Sequence, residues 1–227
     1  MEQHSLHGQT ISDFKRAPQS LIERFKIHDT AKVCDSMGGY GAMEFEIKPL
    51  ENNMRVFGSA LTVLTRPGDA LYVQKAIDMT QPGDVIVINA GGYKDVSCIG
   101  ERLGGFFKQK GAVGIIVDGA VRDAAGMVTD APPTFARASC IRIFGSMGPG
   151  AINVPITCGG VSVNPGDIII GDRDGVVVVP LADAERVADL ADEHLAGELA
   201  RMEEVASGRT IEDVFSLTPK LARWTGR

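Results

Sequence analysis

The sequence predicts a single layered α/β domain on a mixed sheet, and three observations carry that prediction. Helix-like and strand-like segments alternate from residue 69 to residue 129, as they do where helices cross between parallel strands. Residues 152–179 read instead as strand after strand, ending in a hairpin. Residues 181–206 then read as one long charged helix. A purely doubly wound fold has no place for the all-strand block, so parallel and antiparallel pairs must share the sheet.

The elements follow in order. Residues 11–25 read as a helix with Ser12 as its N-cap. A second short helix starts at Asp29-Thr30 and stops before Gly38-Gly39. Residues 54–65 alternate apolar with small or polar residues and read as strand. Asp69 caps a helix reaching Ile77, and the apolar run 85–89, bounded by turn signals, reads as a buried strand. Residues 91–95 form a loop. Beyond it come a helix over 100–110, a strand over 113–117 and a short helix over 121–129, before Pro132-Pro133 interrupts the chain. Strand-like stretches flank Gly159-Gly160 within 152–163, and 167–171 pairs with 176–179 through Asp172-Arg173-Asp174-Gly175. This divides the chain into an N-terminal helical segment (1–29), the α/β domain (30–206) and a C-terminal tail (207–227). Pro-Gly-Asp recurs at 67–69, 82–84 and 165–167 without a fixed period, so it is repeated turn chemistry and not a solenoid.

Composition narrows the function. With 44% apolar residues and mean hydropathy near zero, 227 residues suffice for one ordinary core. No apolar run reaches the ~18 residues that span a bilayer, so a membrane partner is not expected. Residues 1–10 are polar, contain His4 and His7, and lack the apolar centre of a signal peptide, which makes the cytoplasm the expected location. Net charge is −6 with no basic stretch, which argues against a nucleic-acid partner but not against a small anion met by local arginines. Cys34, Cys98, Cys140 and Cys158 are scattered with no C-x-x-C and read as reduced, packed thiols. No G-x-G-x-x-G and no glycine-lysine pair is present, which disfavours nucleotide and dinucleotide enzymes. His4, His7, His28 and His194 avoid the glycine-rich middle, so a histidine metal site or a Ser-His-Asp triad lacks parts.

Chemistry therefore falls to carboxylates, arginine, backbone N–H groups, water and a hard cation, and one block offers the first three. Gly100-Glu101-Arg102-Leu103 opens a helix, where unpaired N–H groups and the helix dipole attract an anion. Twenty residues separate Glu101 from Arg122-Asp123, enough for one helix and one strand to bring the chain back to where it began. Each piece alone has a plain structural reading: Glu101 complements the dipole, Asp123 caps the next helix, Asp118 closes a turn. Together they suit a small oxo acid, whose carbonyl and carboxylate oxygens chelate a divalent ion held by Asp while Arg122 pairs with its charge. Cys98, beside this corner, is a possible nucleophile but has no histidine nearby to activate it, and a structural role is expected.

These residues resemble the RraA-like superfamily, in its branch of 4-hydroxy-4-methyl-2-oxoglutarate / 4-carboxy-4-hydroxy-2-oxoadipate aldolases. The likeness spans about residues 30–206: Thr30-Ala31-Lys32-Val33-Cys34-Asp35, Arg66-Pro67-Gly68-Asp69, the run from Pro82-Gly83-Asp84 to Gly91-Gly92, Asp118-Gly119-Ala120-Val121-Arg122-Asp123, Cys158-Gly159-Gly160-Val161, and the run from Asp172-Arg173-Asp174 to Pro180. The acidic residue, twenty-residue gap and Arg-Asp pair are its specific part.

The resemblance implies a β/β/α swivelling-type fold, assembled as homotrimers or homohexamers with sites at subunit boundaries. It implies Mg²⁺ or Mn²⁺ with Asp123 as ligand, Arg122 steadying an enolate, Gly100, Glu101, Arg102 and Leu103 cradling the pyruvyl carboxylate, and Glu101 handling a proton-carrying water. Asp118 is a possible supporting residue. A glutamate of a neighbouring chain's C-terminal helix approaches the site in this group; Glu198 fits best, with Glu203 and Glu204 as rivals and a solvated helix face as the plain alternative. The implied activity is metal-dependent cleavage of a 4-hydroxy-2-oxo dicarboxylic or tricarboxylic acid to pyruvate and a second oxo acid, with oxaloacetate decarboxylation on the side. Two departures stand out. Ala70 replaces a frequent Asn, and Arg102 puts a charge where the group is usually apolar, which would favour a more anionic or longer acid if it faces the cleft. The rival readings are a Schiff-base aldolase using Lys94 and a non-catalytic regulator that binds a ribonuclease. Asp123 favours catalysis over the regulator, whose type generally lacks that carboxylate. A methyltransferase finds no glycine-rich nucleotide loop here.

Overall fold

The computed structural model describes residues 8–225. His4 and His7 lie outside them. The chain runs α1 (Gln19–Phe25), α2 (Thr30–Ser36), β1 (Lys48–Pro49), β2 (Val56–Thr65), α3 (Leu71–Met79), β3 (Asp84–Asn89), β4 (Ser97–Ile99), α4 (Glu101–Gln109), β5 (Gly114–Val121), α5 (Ala124–Asp130), β6 (Thr134–Ser139), β7 (Gly150–Ile152), β8 (Ile156–Cys158), β9 (Val161–Val163), β10 (Ile168–Asp172), β11 (Gly175–Val179), α6 (Ala184–Ala206), α7 (Ile211–Phe215) and α8 (Leu217–Thr225). This is the expected layered α/β domain with a mixed sheet and a long C-terminal helix.

Nine strands form one sheet in the order β1-β6-β5-β3-β2-β10-β11, with β4 joined to β5 and β7 to β2; β8 and β9 make a separate ribbon. β2, β3, β5 and β6 are parallel in sequence across the centre, and β10, β11, β7 and β1 pair antiparallel around them. Lys48 Nζ donates to the Asp174 carbonyl, so β1 meets the β10–β11 turn and the sheet nearly closes on itself.

Both faces of this sheet are covered, which explains the continuous apolar runs. In β3, Ile86 and Ile88 face α3, α4 and α5 with Val73, Ile99, Phe107 and Met127. Val85 and Val87 face inward with Ile116, Phe135, Ile169 and Val178. On the far side, Ile168, Ile170, Val177 and Val179 pack against Leu21, Ile22 and Phe25 of α1 and Val187 and Ala188 of α6. The period-two switch of side chains along each strand assigns alternate residues to alternate layers.

The three Pro-Gly-Asp turns are built alike. Gly68, Gly83 and Gly166 hold φ of 78°, 91° and 91°, and the following Asp N–H donates to the carbonyl three residues back. The carboxylates then serve different neighbours: Asp84 takes Arg16 and the Gln81 amide, and Asp167 takes the Asn164 and Leu181 amides.

Two expectations need correction. The N-terminal helix covers only Gln19–Phe25, and Ser12 caps nothing there. Residues 11–18 lie in neither helix nor strand: Pro18 disfavours the helical region at Ala17, and the segment's polar groups are claimed from afar. Ile11 N–H donates to the Ile152 carbonyl, Ala17 N–H to Ser59 Oγ, and Arg16 grips Asp84. The helix after β5 starts at Ala124, since Val121 still belongs to the strand. Beyond α6 the described part of the C-terminal tail carries α7 and α8.

Candidate active site

β5 carries a register shift between Val117 and Ala120, where three steps along it match two along β6. Below the shift it pairs with β3; above it, Ala120 and Val121 pair with β4. A bulge re-aims the strand's exit, here toward the end of β4. The Arg122 N–H then donates to the Ile99 carbonyl at 2.9 Å, fastening the two chain ends side by side. In this way twenty intervening residues return Arg122-Asp123 to Gly100-Glu101.

Asp123 adopts a left-handed backbone (φ 53°, ψ 46°) at the N-cap of α5, yet its side chain does not cap that helix. A non-glycine residue held there costs about 1–3 kcal/mol, a strain that collects at functional sites. The carboxylate turns instead to Arg122, with Oδ2 3.3 Å from Nε, both half-exposed. It also lies directly over Gly100. A Cβ on Gly100 would sit 2.5 Å from Asp123 Oδ2 and 2.8 Å from Arg122 Cγ, so only glycine leaves this space open. No side chain caps α4 at its start either, which leaves the amides of its first turn facing outward.

Glu101 folds onto the first turn of α5, where a Cβ on Gly126 would approach its Oε2 to 1.8 Å. Leu103 packs against the core layer beneath α3 and α4, while Arg102 stays exposed. A cavity of about 380 Å³ joins these pieces: Gly100, Glu101, Arg102, Leu103, Arg122 and Asp123 line one side, and Ala70, Gln74, Ile143, Gly145 and Ser146 the other. Six predicted residues thus meet in one place. The opposite wall was not foreseen. Its signal was the Gly/Pro-rich stretch 145–149 between strands, the kind of loop that often carries function.

Asp69 holds that wall in place. It is buried, and its carboxylate accepts the amides of Leu71 (2.9 Å), Met147 (2.7 Å) and Gly148 (2.9 Å), so one side chain caps α3 and pins the loop. Burial alone would raise its pKa, but the three amides together with Arg66 hold it below the ordinary carboxylate range.

Other candidates lie elsewhere. Asp118 is not in this cavity; it joins a separate cluster in which the buried Arg137 meets Asp118, Glu44 (2.6 Å) and Glu46 (2.8 Å). Lys94 pairs with Glu46 at 2.6 Å and does not line the cavity. Glu198 pairs with Lys32 and lines a different groove of about 830 Å³ between α2, α6 and α7. Glu204 pairs with Arg209. Cys98 is fully buried and burial pushes its thiol up to about 12, so it is inert as a nucleophile near neutrality.

Among the described residues no three His, Cys, Asp or Glu side chains gather into a metal cage. The cavity offers instead the accessible oxygens of Asp123, above the gap that Gly100 leaves. That donor set fits a hard ion such as Mg²⁺, which keeps most of its waters and needs one or two carboxylates.

Comparison with known proteins agrees with this architecture. The family model "RraA-like: Aldolase/RraA" matches residues 30–178. A Halalkalibacterium halodurans protein named "Putative 4-hydroxy-4-methyl-2-oxoglutarate aldolase" is 40% identical over 186 residues, covering 82% of this chain and 89% of that one. The crystal structure of an uncharacterised Pseudomonas syringae protein superposes with TM-score 0.77 at 27% identity over 90% of this chain and 97% of its own. Streptomyces coelicolor RraAS2, described as an unusual member of the RNase ES inhibitor RraA protein family, gives TM-score 0.74 at 30% identity over 83% and 100%. The chain belongs to the RraA-like family.

Proposed function

We propose that this chain is a divalent-metal-dependent lyase that cleaves a 4-hydroxy-2-oxo dicarboxylic or tricarboxylic acid into pyruvate and a second oxo acid. The observation that supports it most is the meeting of Arg122, Asp123 and the uncapped start of α4 in one small cavity. Asp123 would hold Mg²⁺ or Mn²⁺ together with water, and the bound ion would supply Lewis-acid polarisation of the 2-oxo group.

The remaining roles belong to the protein. The first-turn amides of α4 bind the substrate carboxylate. Glu101, held against α5, orients a water that takes the proton of the 4-hydroxyl. The C3–C4 bond then breaks, its electron pair passing to the pyruvyl half as an enolate while C4 becomes the carbonyl of the departing oxo acid. Arg122 stabilises the enolate oxygen through a charge-assisted bond worth about 1.5–3 kcal/mol. The proton returns to C3, giving pyruvate. Oxaloacetate decarboxylation passes through the same enolate and is the expected side activity. The proposal includes assembly as a trimer or hexamer, with Glu198 of a second copy approaching the site.

The test is a pyruvate-release screen over oxaloacetate and C4-substituted 4-hydroxy-2-oxo acids, with and without Mg²⁺ or Mn²⁺. Metal-dependent release that EDTA abolishes supports the reading. Absence of turnover on every acid, together with specific capture of a ribonuclease, favours the regulator seen among its relatives. Activity that survives EDTA but is trapped by borohydride points to a lysine.

A further inference from the structure

We infer that Arg102 is a specificity-determining residue that reads a carboxylate on the departing half of the substrate, an assignment that rests on the aldolase reading above. Four charged side chains line the cavity: Glu101, Arg102, Arg122 and Asp123. Arg122 already faces the Asp123 carboxylate, and Glu101 is folded against Gly126. Arg102 makes no ion pair or side-chain hydrogen bond among the described residues, whereas Arg16, Arg24 and Arg137 are each held by carboxylates.

Its position suits the task. Helical side chains lean toward the helix N-terminus, so a residue in the first turn of α4 projects past the helix end and over the cavity. The amides of that turn, with Arg122 beside Asp123, then serve the pyruvyl head. The guanidinium is left to address the other end of the substrate. Gln74 and Ser146 stand on the facing wall, also without side-chain hydrogen bonds among the described residues, and can orient a hydroxyl or carboxylate there. A cavity of about 380 Å³ is near the lower limit for ligand pockets, so the acid is short and both ends touch protein.

The experiment compares kcat and KM for two 4-hydroxy-2-oxo acids that differ only in a C4 carboxylate or a C4 methyl group, in wild type, R102L and R102K, with Mg²⁺ present and folding checked by circular dichroism. In wild type the diacid is preferred. In R102L the diacid-to-monoacid ratio of kcat/KM falls about 10- to 100-fold, chiefly through the diacid KM, and R102K recovers part of it. An unchanged ratio, or an equal loss on both acids, overturns the assignment. If wild type turns over neither acid, the aldolase reading fails, and calorimetric binding of 2-oxoglutarate against 2-oxobutyrate decides Arg102 separately. Tighter diacid binding that R102L abolishes upholds its role; equal binding of the two acids ends it.

Discussion

The site's behaviour follows from where single side chains are held. Asp123 turns away from its own helix and Gly100 leaves room for it, so each can be tested alone. Asp123→Ala and Arg122→Ala should each lower kcat by about 10²–10³ in steady-state assays with saturating Mg²⁺, the usual loss when one electrostatic partner of the transition state goes. Near-normal turnover in either variant would remove that residue from the chemistry. Cys98 makes the opposite prediction. A fully buried thiol pushed up to about 12 stays protonated, so Cys98→Ala should retain wild-type kcat and Ellman's reagent should not label Cys98 in the native protein at pH 8. The sequence put Glu101, Arg122 and Asp123 in one neighbourhood from spacing alone. It could not say that Asp118, four residues before Arg122, would face Arg137 instead, because a strand's successive side chains alternate faces and a bulge changes their phase.

At the scale of elements, α4 and α5 cross with a glycine on each side of the contact. Gly126→Ala would drive a methyl into the Glu101 carboxylate. The expected outcome is a fall in kcat of at least tenfold with the circular dichroism spectrum intact, since Glu101 and not the fold must move. Asp69 joins two other elements, α3 and the loop bearing Ser146. Its pKa lies below that of an unfolded aspartate, so its contribution is fully present above about pH 3.9 and is lost as pH falls through the lower folded value. Thermal unfolding followed from pH 6 to pH 2 should show that acid loss in wild type, and Asp69→Asn should flatten Asp69's share of it. A slope identical in both would exclude Asp69 as the source. The long apolar strands and α4 were legible in the sequence because their patterns are strong and local. β4, β6 and the edge strand β1 were not, being short or rich in small residues.

Across the whole molecule, one buried ion pair ties the N-terminal segment to the sheet. Arg16 donates to both oxygens of the fully buried Asp84 at 2.7 and 2.9 Å. Removing one partner leaves an uncompensated charge, so Arg16→Ala should destabilise the fold by about 3–5 kcal/mol in urea titration. A loss under 1 kcal/mol would mean that water reaches Asp84 freely. The sequence read residues 11–18 as helix with Ser12 as its cap because capping signals are local, and only contacts with Ser59, Asp84 and Ile152 hold them outside any helix.

What the sequence determined by itself was everything written in short-range chemistry: the layered α/β class, the three Pro-Gly-Asp turns, the β10–β11 hairpin, the long helix α6, and the helix–strand spacing that returns Arg122-Asp123 to Gly100. What the tertiary structure alone decided was which side chains share the cavity, with Gln74 and Ser146 brought in and Asp118 and Lys94 left out. That choice depends on sheet register, a bulge and a loop held by a remote carboxylate. These are interactions between residues far apart in the chain, and no local pattern records them.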